Sequence, residues 1–237
     1  MIRHIAMWSC PRSTSTVITR SFEQLEGCLV YDEPFYAPYL LTRGLHHPQR
    51  QEVLDNVESD FSKAIEKITG NLPPGYQFSF QKHMAKHLLP EFRGDWLYSL
   101  ENFFLIRDVK KMLFSYKNVC GNVSRGDINM KSLYDLFQDI KEKTGITPVV
   151  VSSDDLLQNP DKNLRILCEK LNLDFSTKML AWESNPKAST LLSALAPGYG
   201  HVWYENAMQS TGFFPLTNQT FDLPADLNEI LEEEMKI

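Results

Sequence analysis

The chain lacks most of what would tie it to a membrane, a disulfide scaffold or a nucleic acid. No run approaches the roughly 20 consecutive apolar residues needed to cross a bilayer, and the N-terminus passes into HIAMWS without the basic, apolar and small-residue pattern of a secretory leader. No membrane association is expected, and a cytoplasmic location is. The four cysteines, Cys10, Cys28, Cys120 and Cys168, are too scattered for ligand pairs or a disulfide framework, so reduced thiols are expected. Positive charge is scarce: 24 Lys and Arg against 30 Asp and Glu give a formal net charge of -6. A nucleic-acid backbone is therefore not the expected partner, although a few backbone N–H groups and one or two arginines can still hold a small anion. The first polar loop, CPRSTST, contains neither glycine nor lysine. A Gly-Lys-Ser/Thr nucleotide loop and a glycine-trio dinucleotide fingerprint are both excluded there, which disfavours a nucleoside-triphosphate hydrolase or an ordinary kinase. No histidine is spaced with cysteines or acids as a zinc site, and no metal is expected.

What is present is an alternation of short apolar runs with helical patterns. Ile5–Trp8, Cys28–Tyr31, 77–82, Phe103–Ile106 and Pro148–Val151 are rich in Val, Ile, Phe and Tyr, as strands covered on both faces should be. Between them, QEVLDNVESDFSKAIEKI carries one apolar stripe and predicts a single helix. Asn159–Pro160 reads as a cap and first helical residue, and Gly145 as the close of the helix before the fifth strand. The pattern predicts an α/β fold of three αβα layers around a central parallel sheet of about five strands. One domain over 1–237 is expected, with 186–237 forming helices and loops over one end of the sheet and LPADLNEILEEEMKI an acidic surface helix.

Three strand ends carry chemistry. After the first strand, Arg12 is followed by Ser13, Thr14, Ser15 and Thr16 at the start of a helix. One capping hydroxyl is ordinary; four hydroxyls, a guanidinium and helix N–H groups make a cradle for phosphate or sulfate. After the fourth strand comes Arg107, with Ser115 about two helical turns on, able to hold a second phosphate. After the third come Lys82 and His83, then His87. Histidine is the side chain most easily poised as a base near neutral pH, and either histidine could serve. Asp32 and Glu33 end the second strand, where they could face an acceptor or position His83. Tyr31, Phe35, Tyr36, Tyr39, Trp203, Tyr204, Phe213 and Phe214 could line an apolar acceptor pocket.

On these residues the sequence resembles the PAPS-dependent sulfotransferase family. CPRSTST is similar to its 5′-phosphosulfate loop, LIRDVKKMLFSY to its 3′-phosphate motif, and KHMAKHLLP to the segment that carries its catalytic histidine. The match covers roughly residues 5 to 175. It implies the P-loop-like sulfotransferase fold, 3′-phosphoadenosine 5′-phosphosulfate (PAPS) as donor, the 3′,5′-bisphosphate nucleotide (PAP) as product and a small-molecule acceptor. It implies Arg12, Ser13, Thr14, Ser15 and Thr16 around the 5′-phosphosulfate, Arg107 and Ser115 on the 3′-phosphate, and His83 and Arg12 as catalytic residues. Thr14 stands where the family usually has glycine, and Arg12 where it often has lysine. A small-molecule phosphotransferase and a non-catalytic nucleotide-binding relative are the alternatives.

Overall fold

The structure, a computed structural model, describes residues 2–45, 47, 50–184, 204–214 and 222–236. Five strands, β1 (Arg3–Ser9), β2 (Cys28–Asp32), β3 (Phe78–Met84), β4 (Glu101–Ile106) and β5 (Val149–Ser152), form one sheet in the order β2-β3-β1-β4-β5. Every pairing is parallel. β1 lies at the centre: Trp8 pairs with His83 on one side and Phe104 on the other. The crossover from β3 to β4 spans β1, so the crevice beyond the C-terminal end of β1 is where such sheets receive ligands.

Period-two alternation along β1 supplies both cores. Ile5 and Met7 enter a core with Ile18 and Phe22 of α1 (Ser15–Glu23), residues of α2 (Tyr36–Arg43), Val53 of α3 (Arg50–Asn56) and Leu164 and Leu167 of α8 (Pro160–Lys170). Ala6 and Trp8 enter the opposite core with Ala64 and Ile68 of α4 (Phe61–Thr69), Met112 and Leu113 of α5 (Val109–Cys120), and Leu133 and Leu136 of α6 (Met130–Thr144). The expected three layers are thus built from both faces of one sheet. Its edge strand continues into α7 (Ser153–Gln158).

Local chemistry sets the boundaries. Gly145 closes α6 at φ 70°, a left-handed position that suits glycine. Asn159 caps α8, accepting from the Lys162 N–H. The helix expected across residues 51–68 is instead two, because Asp60 takes the Lys63 N–H and starts α4 afresh after α3 has ended at Asn56. The acidic C-terminal segment is not merely a surface helix. Leu227 and Ile230 are buried, and Glu234 of α10 (Asn228–Glu234) accepts the backbone N–H groups of Asn129 and Met130 at the start of α6. Residues 185–203 and 215–221, parts of the expected C-terminal covering region that include Trp203, lie outside the described residues. Among the described residues no helix is long and apolar enough to cross a membrane.

Candidate active site

Beyond the end of β1 the chain turns through Cys10–Thr14 into α1. Two non-glycine residues of this turn are left-handed, Arg12 at φ 64° and Thr14 at φ 69°. A β-branched residue is an outlier there. Thr14 therefore adopts the backbone shape that a glycine would take without strain, and the loop holds its path with the side chain in place. Thr14 precedes the first residue of α1, yet its side chain makes no cap hydrogen bond. Thr14 Oγ1 and Ser13 Oγ are both buried without a hydrogen-bond partner. The hydroxyl run is thus not explained as a capping turn.

The loop opens on a cavity of about 450 Å³, within the size range of small-ligand sites. Arg12, Thr14, Ser15, Thr16, Arg107 and Ser115 all line it. Ser13 is fully buried and is not among the lining residues. Arg12 Nε donates to Ser115 Oγ at 3.0 Å, and Arg107 Nη1 donates to the Arg12 carbonyl at 2.7 Å. Two elements more than ninety residues apart in sequence are thereby joined into one cluster. Arg107 faces Asp154 of α7 across 4.0 Å rather than its neighbour Asp108, which caps α5. Lys111 takes the same Asp154 oxygen at 2.8 Å, and Arg107 Nε is buried without a hydrogen-bond partner. Burial pulls the Arg12 and Arg107 guanidiniums below their ordinary pKa, as befits charge held partly out of water.

The third strand divides Lys82 and His83 between the faces of the sheet. His83 points away from the cavity, 1% exposed, stacked on Trp8 (4.3 Å between ring centroids) and on Phe35 (5.2 Å). Its Nε2 meets Gln81 Oε1 at 3.1 Å, its Nδ1 has no hydrogen-bond partner, and burial lowers its pKa to about 3. Asp32 and Glu33 do not hold it. Lys82 points into the cavity, and its Nζ lies 3.0 Å from Asp32 Oδ1, 2.7 Å from Glu33 Oε1 and 2.9 Å from the Tyr204 hydroxyl. His87, from the short 3-10 turn Ala85–His87 after β3, also lines the cavity. Its ring stacks on Tyr36 at 4.9 Å, and its Nδ1 faces Glu33 Oε2 at 3.6 Å.

The electrostatics follow from one ammonium shared by two carboxylates. Asp32 is wholly buried and burial raises its pKa, with Lys82 only partly offsetting this. For Glu33 burial acts in the same direction, but Lys82 and the other neighbouring donors outweigh it and pull it down to about 2. Glu33 is an anion and His87, lowered by burial to about 3, is neutral at pH 7. Carboxylates driven apart in this way are a frequent mark of acid–base sites.

Five cations line the cavity, Arg12, Lys82, Lys86, Arg107 and Lys111; Glu33 is the one carboxylate that does so among the described residues. Of the aromatic residues expected around an acceptor, Tyr36, Tyr204 and Phe214 line it. Tyr31 and Phe35 belong to the opposite core, Phe213 packs on Trp182, and Tyr39 rests against His87. From sequence, Glu33, His87 and Tyr204 are only alternatives or possible lining residues, and Lys82, Lys86 and Lys111 have no assigned role. The strand period was the available signal for one of them: Lys82 and His83 are adjacent in β3, so only one can face the cavity.

Comparison with known proteins bears on this arrangement. The family described as sulfotransferase domain matches residues 3–229. Over 209 residues the chain is 31% identical to the Arabidopsis thaliana branched-chain-amino-acid aminotransferase-like protein 2, covering 88% of this chain and 36% of that protein. It is 30% identical over 234 residues to branched-chain-amino-acid aminotransferase-like protein 1 of the same organism, covering 98% of this chain and 40% of that protein. The chain thus spans less than half the length of the curated relatives it matches. Among solved structures, the sulfotransferase domain from the Synechococcus PCC 7002 olefin synthase has a TM-score of 0.51 at 15% identity, covering 98% of this chain and 95% of that one. With the family match running from β1 to the C-terminal helix, and the parallel sheet and strand–loop–helix of that fold in place, the chain belongs to the sulfotransferase family.

Proposed function

We propose that the protein transfers a sulfuryl group from PAPS to a hydroxyl (or amine) of a small-molecule acceptor. The observation that carries this is the charge of the cavity. In a chain of net charge -6, five cations of the described residues line a single cavity against Glu33, with Asp32 and Asp154 paired to three of them, beside a helix start whose first N–H groups have no intrahelical partner. A donor with a phosphosulfate at one end and a 3′-phosphate at the other suits that excess. The Thr14 and Arg107 side-chain atoms left without hydrogen-bond partners, both on residues that line the cavity, fit a bound oxyanion. Arg12 with the hydroxyls of Thr14, Ser15 and Thr16 would hold the phosphosulfate, and Arg107 with Ser115 the 3′-phosphate, while Ser13, expected beside them, lies behind the cavity wall.

In the step itself the acceptor oxygen forms a bond to sulfur while the bond from sulfur to the bridging phosphate oxygen breaks, and PAP leaves with that electron pair. Arg12 and the α1 N-terminus offset the charge that grows on the leaving oxygens. The role expected of His83 passes to His87, because His83 is closed off behind the sheet. His87 is neutral and lines the cavity; with Nδ1 turned to the Glu33 carboxylate, Nε2 is left to take the acceptor's proton. The ionised Glu33 stabilises the imidazolium that results.

The test has two stages. PAP at about 100 times its dissociation constant should raise stability by about 2.7 kcal/mol, while AMP and ATP should not. Labelled PAPS in the presence of EDTA should then modify members of a hydroxyl and amine acceptor panel. His87→Ala should lower that turnover by about 10²-fold or more while the PAP shift persists. Equal stabilisation by ATP, transfer only from ATP with a divalent metal, or PAP binding with no acceptor modified across the panel would each defeat the reading.

A further inference from the structure

Tyr204 reaches the centre of the site from the C-terminal segment, and its partners lie 122 to 172 residues away in sequence. It is 2% exposed, its ring face lies 4.5 Å from Lys82 Nζ, and among the described residues its hydroxyl meets three groups. Those are Asp32 Oδ2 at 2.7 Å, Glu33 Oε1 at 2.9 Å and Lys82 Nζ at 2.9 Å. A phenol has one proton to give and lone pairs with which to accept. The hydroxyl can therefore accept from the lysine while donating to one carboxylate at a time. Glu33 enters this network from a left-handed backbone at φ 45°, with its N–H donating to the Lys82 carbonyl at 2.8 Å. Lys82 and Tyr204 both occupy Oε1, and the other oxygen, Oε2, is the one that faces His87.

We propose that Tyr204 is a positioning residue of the transfer reaction. Its hydroxyl holds Glu33 in the rotamer that presents Oε2 to His87, and so makes the C-terminal segment part of the catalytic apparatus rather than only a wall of the cavity. This rests on the reading of His87 and Glu33 as base and partner. The anchoring of the segment agrees with such a demand for fixed geometry. Met208 of α9 (Glu205–Gln209) meets the buried Arg20 side chain, the Trp182 indole N–H donates to Ser210, and Gly212 bridges to Ala181. Displacement of a catalytic group by about 1 Å is enough to cost about 10²-fold in rate, so a residue that sets a rotamer need touch neither substrate to matter.

The experiment is a double-mutant cycle on the full chain, read as kcat and KM for the best acceptor, with the PAP-induced thermal shift as the check on fold and donor binding. Tyr204→Phe should lower kcat by about 10- to 100-fold, with the acceptor KM within about 3-fold and the PAP shift kept. Glu33→Gln should lower kcat at least as much. Tyr204→Phe added to Glu33→Gln should cost less than about 2-fold more, since its route of action is already gone. Tyr204→Leu should lower kcat no further than Phe does, because the hydroxyl and not the ring is at work. If Glu33→Gln and His87→Ala both turn over at the wild-type rate, the reading of the base fails and this inference with it. Should those two be slow while Tyr204→Phe keeps the wild-type kcat, only the positioning role fails. That role fails equally if the two substitutions simply multiply, or if kcat survives Phe and is lost with Leu.

Discussion

Substituting phenylalanine for His83 separates a buried structural imidazole from a catalytic one, and the structure sets the size of the effect. The ring is sandwiched by Trp8 and Phe35 and keeps its stacking partners when it becomes a phenyl group. One hydrogen bond is lost, leaving Gln81 Oε1 without this donor at a cost of about 1–3 kcal/mol. Against that, the unpartnered Nδ1 disappears, so the net change at pH 7 is expected to be about 1 kcal/mol. The larger effect is on pH dependence. His83 has a folded pKa of about 3 against an ordinary 6.5. Between those values the unfolded chain takes up a proton that the folded chain refuses. The stability from keeping His83 neutral is complete above pH 6.5 and is lost as pH falls toward 3, by about 1.4 kcal/mol per unit. From pH 7 to pH 5 the loss from this residue alone is about 2 kcal/mol. His87 behaves alike but is common to both proteins. Urea denaturation at pH 7, 6 and 5 should therefore show the variant gaining about 2 kcal/mol on the wild type over that interval, enough to make it the more stable protein at pH 5. Its sulfuryl transfer at pH 7 should stay within a few-fold of wild type. Parallel pH curves would refute the burial argument, and a 10²-fold loss of turnover with the PAP shift intact would return the role of base to His83.

Three further outcomes follow from particular contacts. Thr14→Gly removes a left-handed β-branched residue, worth about 1–2 kcal/mol of relief, against about 0.5–1 kcal/mol of added chain entropy. Chemical denaturation should find it as stable as wild type or more so, and about 1 kcal/mol above Thr14→Ala, which keeps the Cβ; an alanine variant of equal stability would contradict the strain. Lys82→Met leaves Asp32 and Glu33 buried around a neutral side chain, and should cost about 3–5 kcal/mol in the same assay. A loss below about 1 kcal/mol would mean that the ammonium does not hold that network. Glu234→Gln exchanges one of two acceptors at the start of α6 for a donor facing a backbone N–H, and should cost about 1–3 kcal/mol without changing turnover.

The parts of the site legible in the sequence are those encoded by residues within one strand–loop–helix. Arg12 and the hydroxyls after it, and Arg107 with Ser115, each sit in a short segment whose strand and helix are set by apolar periodicity and, in the second, by Asp108 capping α5. Once the strands are parallel and β1 is central, the two segments must converge at the same sheet end, and the Arg12–Ser115 and Arg107–Arg12 bonds are the result. The proposed acid–base half is different in kind. The family resemblance marks His83 by its place ahead of Leu88, Leu89 and Pro90, but place along a strand says nothing about which face a residue occupies until one neighbour is anchored. Lys82 is that anchor: two carboxylates at the end of β2 and a tyrosine far along the chain stabilise its ammonium in the cavity, and once it points inward His83 must point out. The deciding interaction joins residues 32, 33, 82 and 204, three of which carry no motif, so no local pattern could have revealed it. The break at Asp60 has a similar cause on a smaller scale, since one side-chain oxygen overrides an apolar stripe that otherwise runs on unbroken. Thr14 lies between these cases. The sequence exposes the missing glycine, and the structure answers that the backbone keeps the glycine's conformation and carries the strain. A loop that retains this shape against the preference of its own residue agrees with the anion cradle proposed for it.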